Sequence, residues 1–483
     1  MQLAVILRIL GILLSLFSLT MIPPLIISLV TNDGSITPFL LAFVIILLTG
    51  LAFWLPVRNF RNDLRLRDGF VVVVIFWVGL GVAGSIPLLI SKTPDLSITN
   101  AIFESISGLT TTGATIIAEI DTLPKSILFY RQELQWLGGM GIIVLAVAIL
   151  PMLGIGGMQL YRAETPGPVK DTKLTPRITE TAKSLWYIYL TMTIACALSY
   201  YLAGMNSFDA IAHSFSTVSI GGFSTHNQSI GYFNNNLIEL VAIFFMLASG
   251  INFSLHFLAF KNANIKPYLG DDELRTYLKI LLIICIVCSG YNAIGGDYET
   301  IKEALRDSVF QTISIATTTG FTTTEFQNWP GFVPILLIIS CFIGACAGST
   351  GGGIKVIRAL LFFKQGIREI KRLIHPNAIF TIKINDKPIS ERIIEAIWGF
   401  LAVYIVIFAI LLLVLMATNI DFITAFSALS ACINNLGPGL GEVSQNYFTL
   451  SDVAKWILCF AMLLGRLEIF TLLVLFSPSF WRH

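Results

Sequence analysis

Long apolar runs alternate along the chain with short segments of mixed polarity. Two runs come first, at roughly 3–30 and 37–56. A unit then recurs four times: a long apolar run, a short semi-polar segment and a second long run. The long runs lie near 69–91 and 130–154, 182–204 and 236–260, 277–295 and 331–362, and 392–418 and 452–477. An apolar helix of about 18 or more residues is long enough to cross a bilayer. The pattern therefore predicts an all-α polytopic membrane protein with ten crossings. The first run is too long for a signal peptide and no small-residue cleavage site follows it, so it reads as a retained helix.

The four short segments are related to one another. They read "AIFESISGLTTTGAT" (101–115), "AIAHSFSTVSIGGFS" (210–224), "SVFQTISIATTTGFT" (308–322) and "AFSALSACINNLGPG" (425–439). Each has a glycine twelve residues after its start: Gly113, Gly222, Gly320 and Gly437. Six residues before the glycine stand Ser107, Ser216, Ser314 and Ala431. A repeat of roughly one hundred residues, found four times, is a fold signature. It divides the chain into two N-terminal helices with a basic loop (1–68) and repeats at 69–181, 182–275, 276–391 and 392–483.

Each short segment begins with some twelve residues able to form a helix about 18 Å long, too short for a core of about 30 Å. Each also lies between runs whose ends share one side, so the helix must dip in and the chain must climb back out. Non-helical backbone at that depth is tolerated only where protein buries it or it lines an aqueous cavity. Four such strands around one axis would set carbonyl oxygens in a ring able to replace the water around a cation. Glycine permits the positive φ that would aim them, and the C-terminal ends of the short helices add partial negative charge. Close helix packing is the alternative for any single Thr/Gly-rich segment; the recurrence at matching offsets favours the pore-loop reading.

Composition supports the membrane assignment. The chain has 483 residues, 55% hydrophobic and only 12% charged, against about 25% charged in soluble domains; its mean hydropathy is +0.79. The net charge of +2 says little, but the placement of basic residues sets orientation. Arg58, Arg61, Arg65 and Arg67 share one loop. Arg162, Lys170, Lys173, Arg177 and Lys183 fall two crossings later, then Lys261, Lys266, Arg275 and Lys279, then nine more between Lys355 and Arg392. All fall on one face, which is therefore read as cytoplasmic, with both termini. The opposite face carries Lys92, Lys125, Arg131, Lys302, Arg306 and Lys455. It also has Glu104, Glu119, Asp121, Glu325 and Glu442, read either as a cation-attracting set or as an ordinary solvated surface. The seven cysteines lie in apolar stretches, and the Cys285–Cys288 pair reads as helix packing rather than redox or metal chemistry.

With these motifs the chain resembles the Trk/Ktr/HKT superfamily of potassium transporters, most closely its TrkH/TrkG-type bacterial membrane subunits. The resemblance covers essentially the whole chain. It rests on the four glycine segments, on "GACAGSTGGGIKVIR" (344–358), on "NNLGPGLG" (434–441) and on "GRLEIFTLLVLFSPSFW" (465–481). It implies a pseudo-fourfold pore in one chain, a homodimer in the bacterial inner membrane, and K⁺ uptake gated by a cytosolic ring of nucleotide-binding, TrkA-type RCK subunits. K⁺ is the cargo; no covalent cofactor and no nucleic-acid partner are implied.

Carried over, the K⁺ filter comprises Thr111, Thr112 and Gly113; Ile220, Gly221 and Gly222; Thr318, Thr319 and Gly320; and Asn435, Leu436 and Gly437. Plant relatives that pass Na⁺ often have serine at the first glycine, so Gly113 implies preference for K⁺. Each segment keeps one glycine where TVGYG filters have two. The fourth, with Asn434, Asn435, Leu436 and Pro438, diverges most, which predicts an asymmetric filter with looser discrimination.

The stretch 344–355 fails the P-loop pattern, because Ile354 separates Gly353 from Lys355 and no Ser or Thr follows. Gly344, Gly348 and Gly352 form two GxxxG spacings suited to tight packing. Three consecutive glycines, Gly351 to Gly353, instead favour a broken helix, each costing about 1 kcal/mol relative to alanine. In the family this stretch is an intramembrane gate beneath the filter, which assigns that role to Gly344, Gly348, Ser349, Thr350, Gly351, Gly352 and Gly353.

Arg466 lies inside the last apolar run, and a charge there faces a bundle interior or a water path. Glu468 is two residues on and faces elsewhere. An interhelical ion pair and a pore-facing barrier are both open; the resemblance implies the barrier. The basic stretch 364–377 suits either anionic lipid or the regulatory ring, and "TIKINDKPIS" (381–390) predicts a small hairpin at Asn385–Asp386. No HExxH or GxSxG is present, so no enzyme is indicated. The repeats all enter with one topology, which favours a pore over a rocking transporter built from inverted repeats. Coupling to H⁺ or Na⁺, as in a symporter, is left open by the residues.

Overall fold

The computed structural model describes residues 2–60, 66–141, 178–295 and 298–482. Arg61, Arg65, Arg162, Lys170, Lys173, Arg177 and the end of the 130–154 run lie outside the described residues. The fold is all-α as expected, 72% helix and 1% strand. Its interior is polar where a soluble protein's is greasy. Ser107, Thr112, Ser216, Thr319 and Ser314 are fully buried, while Leu202, Phe244, Ile283 and Leu413 face outward. That inversion is what a hydrocarbon solvent selects.

The N-terminal helix runs from Leu3–Ser18 through a 3₁₀ turn, Leu19–Met21, into Ile22–Thr31. Two prolines open its second piece, where a missing N–H costs little. It lies tightly against Ile36–Trp54 at two glycines: a Cβ on Gly11 would stand 2.7 Å from the Gly50 carbonyl oxygen. Small residues at a helix crossing allow such backbone contact.

The repeats open with the spans Leu66–Ile90, Ile178–Leu202, Asp272–Gly295 and Glu391–Met416. Their short helices are Ile98–Leu109, Ser207–Val218, Ile301–Ala316 and Phe422–Ile433. Ser97, Asn206, Thr300 and Asp421 cap these four helices, each side chain accepting a hydrogen bond from the amide three residues on. Side-chain oxygens satisfy the orphan amides of a first turn.

The second spans differ from expectation. The runs 236–260 and 452–477, read as continuous, are both broken. Asn236–Ser249 meets Phe253–Lys261 at 93°, and Asp452–Arg466 meets Phe470–Phe476 at 109°. In repeat 2 Asn252 caps the new helix by accepting from the Ser254 amide; in repeat 4 Glu468 and Ile469 take left-handed φ of 52° and 57°. Repeat 3 breaks as expected, between Val333–Ile343 and Val356–Ile374. In repeat 1 the helix Lys125–Trp136 passes into a π-turn at Leu137–Gly141. Among the described residues six helices are long and apolar enough to cross a membrane, or eight if each bent pair is one span. The remaining two of the ten expected runs are the one leaving the described region at 141 and the one broken in repeat 3. The expected hairpin is present: Lys383–Ile384 pairs antiparallel with Lys387–Pro388, with φ of 48° and 61° at Asn385 and Asp386, the signs a type I′ turn requires.

Candidate pore and gate

The four short helices end in the same way. Thr111, Ile220, Thr318 and Asn435 take left-handed φ of 56°, 56°, 70° and 55°. The next amide in each, of Thr112, Gly221, Thr319 and Leu436, donates to the carbonyl of Ser107, Ser216, Ser314 and Ala431, each at 2.8 Å. This is the six-to-one bond of a Schellman cap. It explains the six-residue offset between Ser107, Ser216, Ser314 or Ala431 and the filter glycine: the first supplies the carbonyl that folds the chain back. A left-handed non-glycine residue costs about 1–2 kcal/mol, and strain of this kind concentrates at functional sites.

The glycines close the ring. A Cβ on Gly113 would overlap the Gly221 carbonyl oxygen, and one on Gly222 the Thr319 carbonyl oxygen. One on Gly320 would stand 2.8 Å from Pro438 Cδ, and one on Gly437 would stand 2.6 Å from the Gly113 carbonyl oxygen. Each strand thus leans on the next, from the first repeat to the fourth and back. Gly113, Gly222 and Gly320 have φ near 80°, as expected, but Gly437 is not among the positive-φ glycines. The expectation that all four glycines serve left-handed backbone is corrected there. Pro438 follows, and the residue before proline is held in extended backbone. Gly437 is small because its neighbour's carbonyl is close, not because its φ demands it.

Behind the strands stands a polar cage that sequence reasoning did not assign. Glu104, read as an outer-face acid, is fully buried and pairs with buried Arg131 at 2.8 Å. Glu104 also accepts from Thr115 Oγ1 and the Ile116 amide, and Arg131 donates to the Ser224 carbonyl. Lys455, likewise read as an outer-face charge, is buried and donates to Asn100 Oδ1 and the Phe448 carbonyl. Gln135 Nε2 donates to the Gly221 carbonyl at 2.6 Å while its Oε1 accepts from the Phe223 amide. Tyr447 donates to the Gly437 carbonyl, and Asn435 donates to Thr112 Oγ1 across the ring. The available signal was the run "RQELQ" (131–135), polar in an otherwise apolar span. Beyond the start of the second short helix His226 bridges Asp209 and Asp121. Burial alone would depress the His226 imidazole, but these two carboxylates outweigh it and raise its pKa. Asp209, despite burial, is lowered to about 2 by bonds from His226 and Thr225.

Beneath the ring, residues 344–355 cross as an irregular loop. Its neck is closed by the Ile354, Lys355 and Val356 amides donating to Phe342, Ile343 and Ala345 carbonyls. Gly344, Gly348 and Gly353 have φ of 67°, 72° and 79°; Ser349 Oγ donates back to the Cys346 carbonyl. The loop touches the other repeats directly. Thr350 Oγ1 donates to the Val218 carbonyl at the end of the second short helix. The Gly352 amide donates to Thr318 Oγ1, and a Cβ on Gly352 would overlap the Asn434 carbonyl oxygen. The Phe253 amide donates to Gly348, and the Cys346 amide to Gly250. Gly351 lies beside the Thr317 carbonyl oxygen, 3.0 Å from where a Cβ would stand. Packing of continuous helices, the GxxxG alternative, does not describe this loop.

The three breaks and the π-turn of repeat 1 share one sequence mark. Gly138, Gly250, Gly344 and Gly465 stand 25, 28, 24 and 28 residues after the glycine of their own segment. A Cβ on Gly138 or Gly465 would overlap the Leu109 or Ile433 carbonyl oxygen at the end of the adjacent short helix. Here Arg466 ends its helix. Its guanidinium donates to the Gly138 and Gly139 carbonyls, to the Thr350 carbonyl and to Thr111 Oγ1, and lies 5.4 Å from the Trp77 ring. It therefore joins the first filter strand, the π-turn of repeat 1 and the loop of repeat 3. Glu468 pairs instead with Arg358 of repeat 3.

Comparison with known proteins decides the family. A model of the TrkH family, described as cation transport protein, matches residues 35–483. The chain is 55% identical to the Trk system potassium uptake protein TrkH of Vibrio parahaemolyticus over the whole of both chains. It is 52% identical to the protein of that name from Escherichia coli K12, over 99% of each. The crystal structure of the potassium transporter TrkH from Vibrio parahaemolyticus superimposes with a TM-score of 0.91, covering both chains fully at 52% identity.

The chain belongs to the TrkH family of cation transport proteins.

This is a family of transporters rather than enzymes. In this TrkH-family chain the twelve residues assigned to the filter fall on the four strands of one ring. The seven assigned to the gate fall in one loop beneath it, and Arg466 lies between loop and ring.

Proposed function

We propose that the chain takes up K⁺ across the bacterial inner membrane through a filter formed by Thr111–Gly113, Ile220–Gly222, Thr318–Gly320 and Asn435–Gly437. The supporting observation is the closed ring in which each filter glycine abuts the following strand's backbone. A rigid ring of carbonyl dipoles compensates the dehydration of a K⁺ ion, and the C-terminal ends of four short helices add negative potential on its inner side. Gly437, outside the left-handed region, makes the fourth side unlike the others, which supports K⁺ over Na⁺ selectivity looser than in symmetric filters. Residues 344–353 act as the gate and Arg466 as an electrostatic barrier below the filter. The repeats are taken to begin at 69, 182, 276 and 392, each within the first turns of its opening helix. The basic face is cytoplasmic, with both termini, and there a TrkA-type RCK ring controls the loop; the working unit is a homodimer.

The test is the reversal potential across bilayers holding the purified protein, with K⁺ on one side and Na⁺ on the other. Wild type is expected to be K⁺-biased, and Gly113→Ser to relax toward equal permeability. Equal potentials in the two proteins, with the RCK ring present to open the gate, would remove the filter assignment.

A further inference from the structure

The loop beneath the ring is held from the cytoplasmic side by a residue outside it. Glu273 stands in the first turn of Asp272–Gly295, the opening span of repeat 3, and is 6% exposed. One of its carboxylate oxygens, Oε1, accepts from the Ala347 amide at 2.7 Å and from the Ile357 amide at 3.1 Å. Ala347 lies on the entering limb of the loop; Ile357 lies in the first turn of the helix that leaves it. A single carboxyl oxygen thus clips the two limbs together. It also sits at the N-terminus of Val356–Ile374, a helix of 19 residues whose orphan amides and dipole favour negative charge.

The neck bonds among residues 342–356 are backbone to backbone within the loop itself, the contacts to repeat 2 are neutral, and Arg466 of repeat 4 reaches only the Thr350 carbonyl. Glu273 is different in kind: one of its oxygens accepts from both limbs at once, and it belongs to an element that does not change direction at the loop. Without it the Ala347 and Ile357 amides would lose their acceptor, and a buried donor left unsatisfied is costly.

We propose that Glu273 is a positioning residue of the gate, whose carboxylate stabilises the closed loop by binding the Ala347 and Ile357 amides together. The proposal rests on the reading of residues 344–353 as the gate. Loss of the carboxylate releases the limbs, favours the displaced loop and leaves the filter untouched.

The test compares wild type, Glu273→Ala, Glu273→Gln and Gly352→Ala, all purified and reconstituted without any regulatory subunit. Three quantities are read: basal K⁺ flux, K⁺/Na⁺ reversal potential, and the rate of maleimide labelling at Cys346 by peptide mass spectrometry. Cys346 is buried next to the clip, so its labelling reports displacement of the loop. Glu273→Ala is expected to raise basal flux about tenfold, as leaving two buried amides without their acceptor implies, and to speed Cys346 labelling, with the reversal potential unchanged. Glu273→Gln keeps an acceptor oxygen and should rise less. Should the alanine variant fail to fold, the glutamine variant decides by labelling alone: faster labelling supports the clip, and an unchanged rate overturns it. Gly352→Ala tests the gate itself, since its Cβ would force the loop away from Asn434. Raised flux in Gly352→Ala with no change in Glu273→Ala would overturn the clip and leave the gate standing. No change in either would overturn the gate reading and the clip with it.

Discussion

The strands proposed as the filter and the loop proposed as the gate are built from the same glycine-rich material and are held in opposite ways. Each filter strand is folded by its own repeat, through the same Schellman bond at 2.8 Å, and then leans on its neighbour through backbone contact at a glycine. Among the described residues the loop 344–355 has no counterpart in the other repeats, and it is held by unlike partners: Val218, Thr318, Gly250, Glu273 and Arg466. A structure repeated four times and locked by sterics has little freedom to move. One suspended by a handful of individual hydrogen bonds can be released by losing a few of them. The difference separates a part built to be rigid from one able to switch.

The comparison breaks most severely at the buried ion pair behind the first strand. Glu104→Leu leaves Arg131 buried without its partner, and removing one member of such a pair costs about 3–5 kcal/mol. The expected result is a large loss of monodisperse protein by gel filtration after mild heating; unaltered recovery would mean the pair does not hold the ring. Next, Gly222→Ala places a Cβ on the Thr319 carbonyl at a left-handed φ and should lower K⁺ uptake by roughly a hundredfold, combining overlap with the cost of left-handed alanine. Gly437→Ala meets only the overlap and should lose less; equal losses would show that φ is not what distinguishes the fourth strand. On the gate side the sign reverses. Arg466→Ala removes bonds to Thr111, Thr350, Gly138 and Gly139 together with a positive charge, and should raise K⁺ flux about tenfold by loss of charge-assisted bonds. Unchanged flux and gating would remove the barrier role.

The smallest effect is expected at the bridge of His226. Its raised folded-state pKa means that the bridge stabilises fully below the ordinary histidine value near 6.5 and is lost as pH rises through the folded value. Asp209, lowered to about 2, contributes above the ordinary aspartate value and is lost only as pH falls through about 2. Thermal stability should therefore decline slightly as pH rises above the ordinary histidine value, by about 1 kcal/mol or less, because one of the two partners, Asp121, is half exposed. His226→Gln should flatten that slope; an unchanged slope would assign it to other groups.

What the sequence by itself determined is what recurs. The alternation of long apolar runs and four matched glycine segments specified an all-α membrane fold, four repeats, the candidate filter and one broken helix. These follow from local rules: a bilayer demands long apolar helices, and a short helix followed by glycine cannot span it. The hairpin at Asn385–Asp386 was legible for the same reason. What only the tertiary structure decided is what depends on neighbours distant in the chain. Glu104 could be read as a surface acid because nothing local reveals Arg131, 27 residues away, as its buried partner. The breaks at Gly250 and Leu467 were hidden inside apolar runs, since hydropathy counts side chains and does not register where a helix must yield to a crossing loop. Gly437 matched its three counterparts in sequence and departed in backbone because Pro438 constrains it while the Gly113 carbonyl crowds it. Glu273 in a first turn looks like an ordinary helix-start acid; only folding brings the amides of Ala347 and Ile357, 74 and 84 residues away, to one of its oxygens.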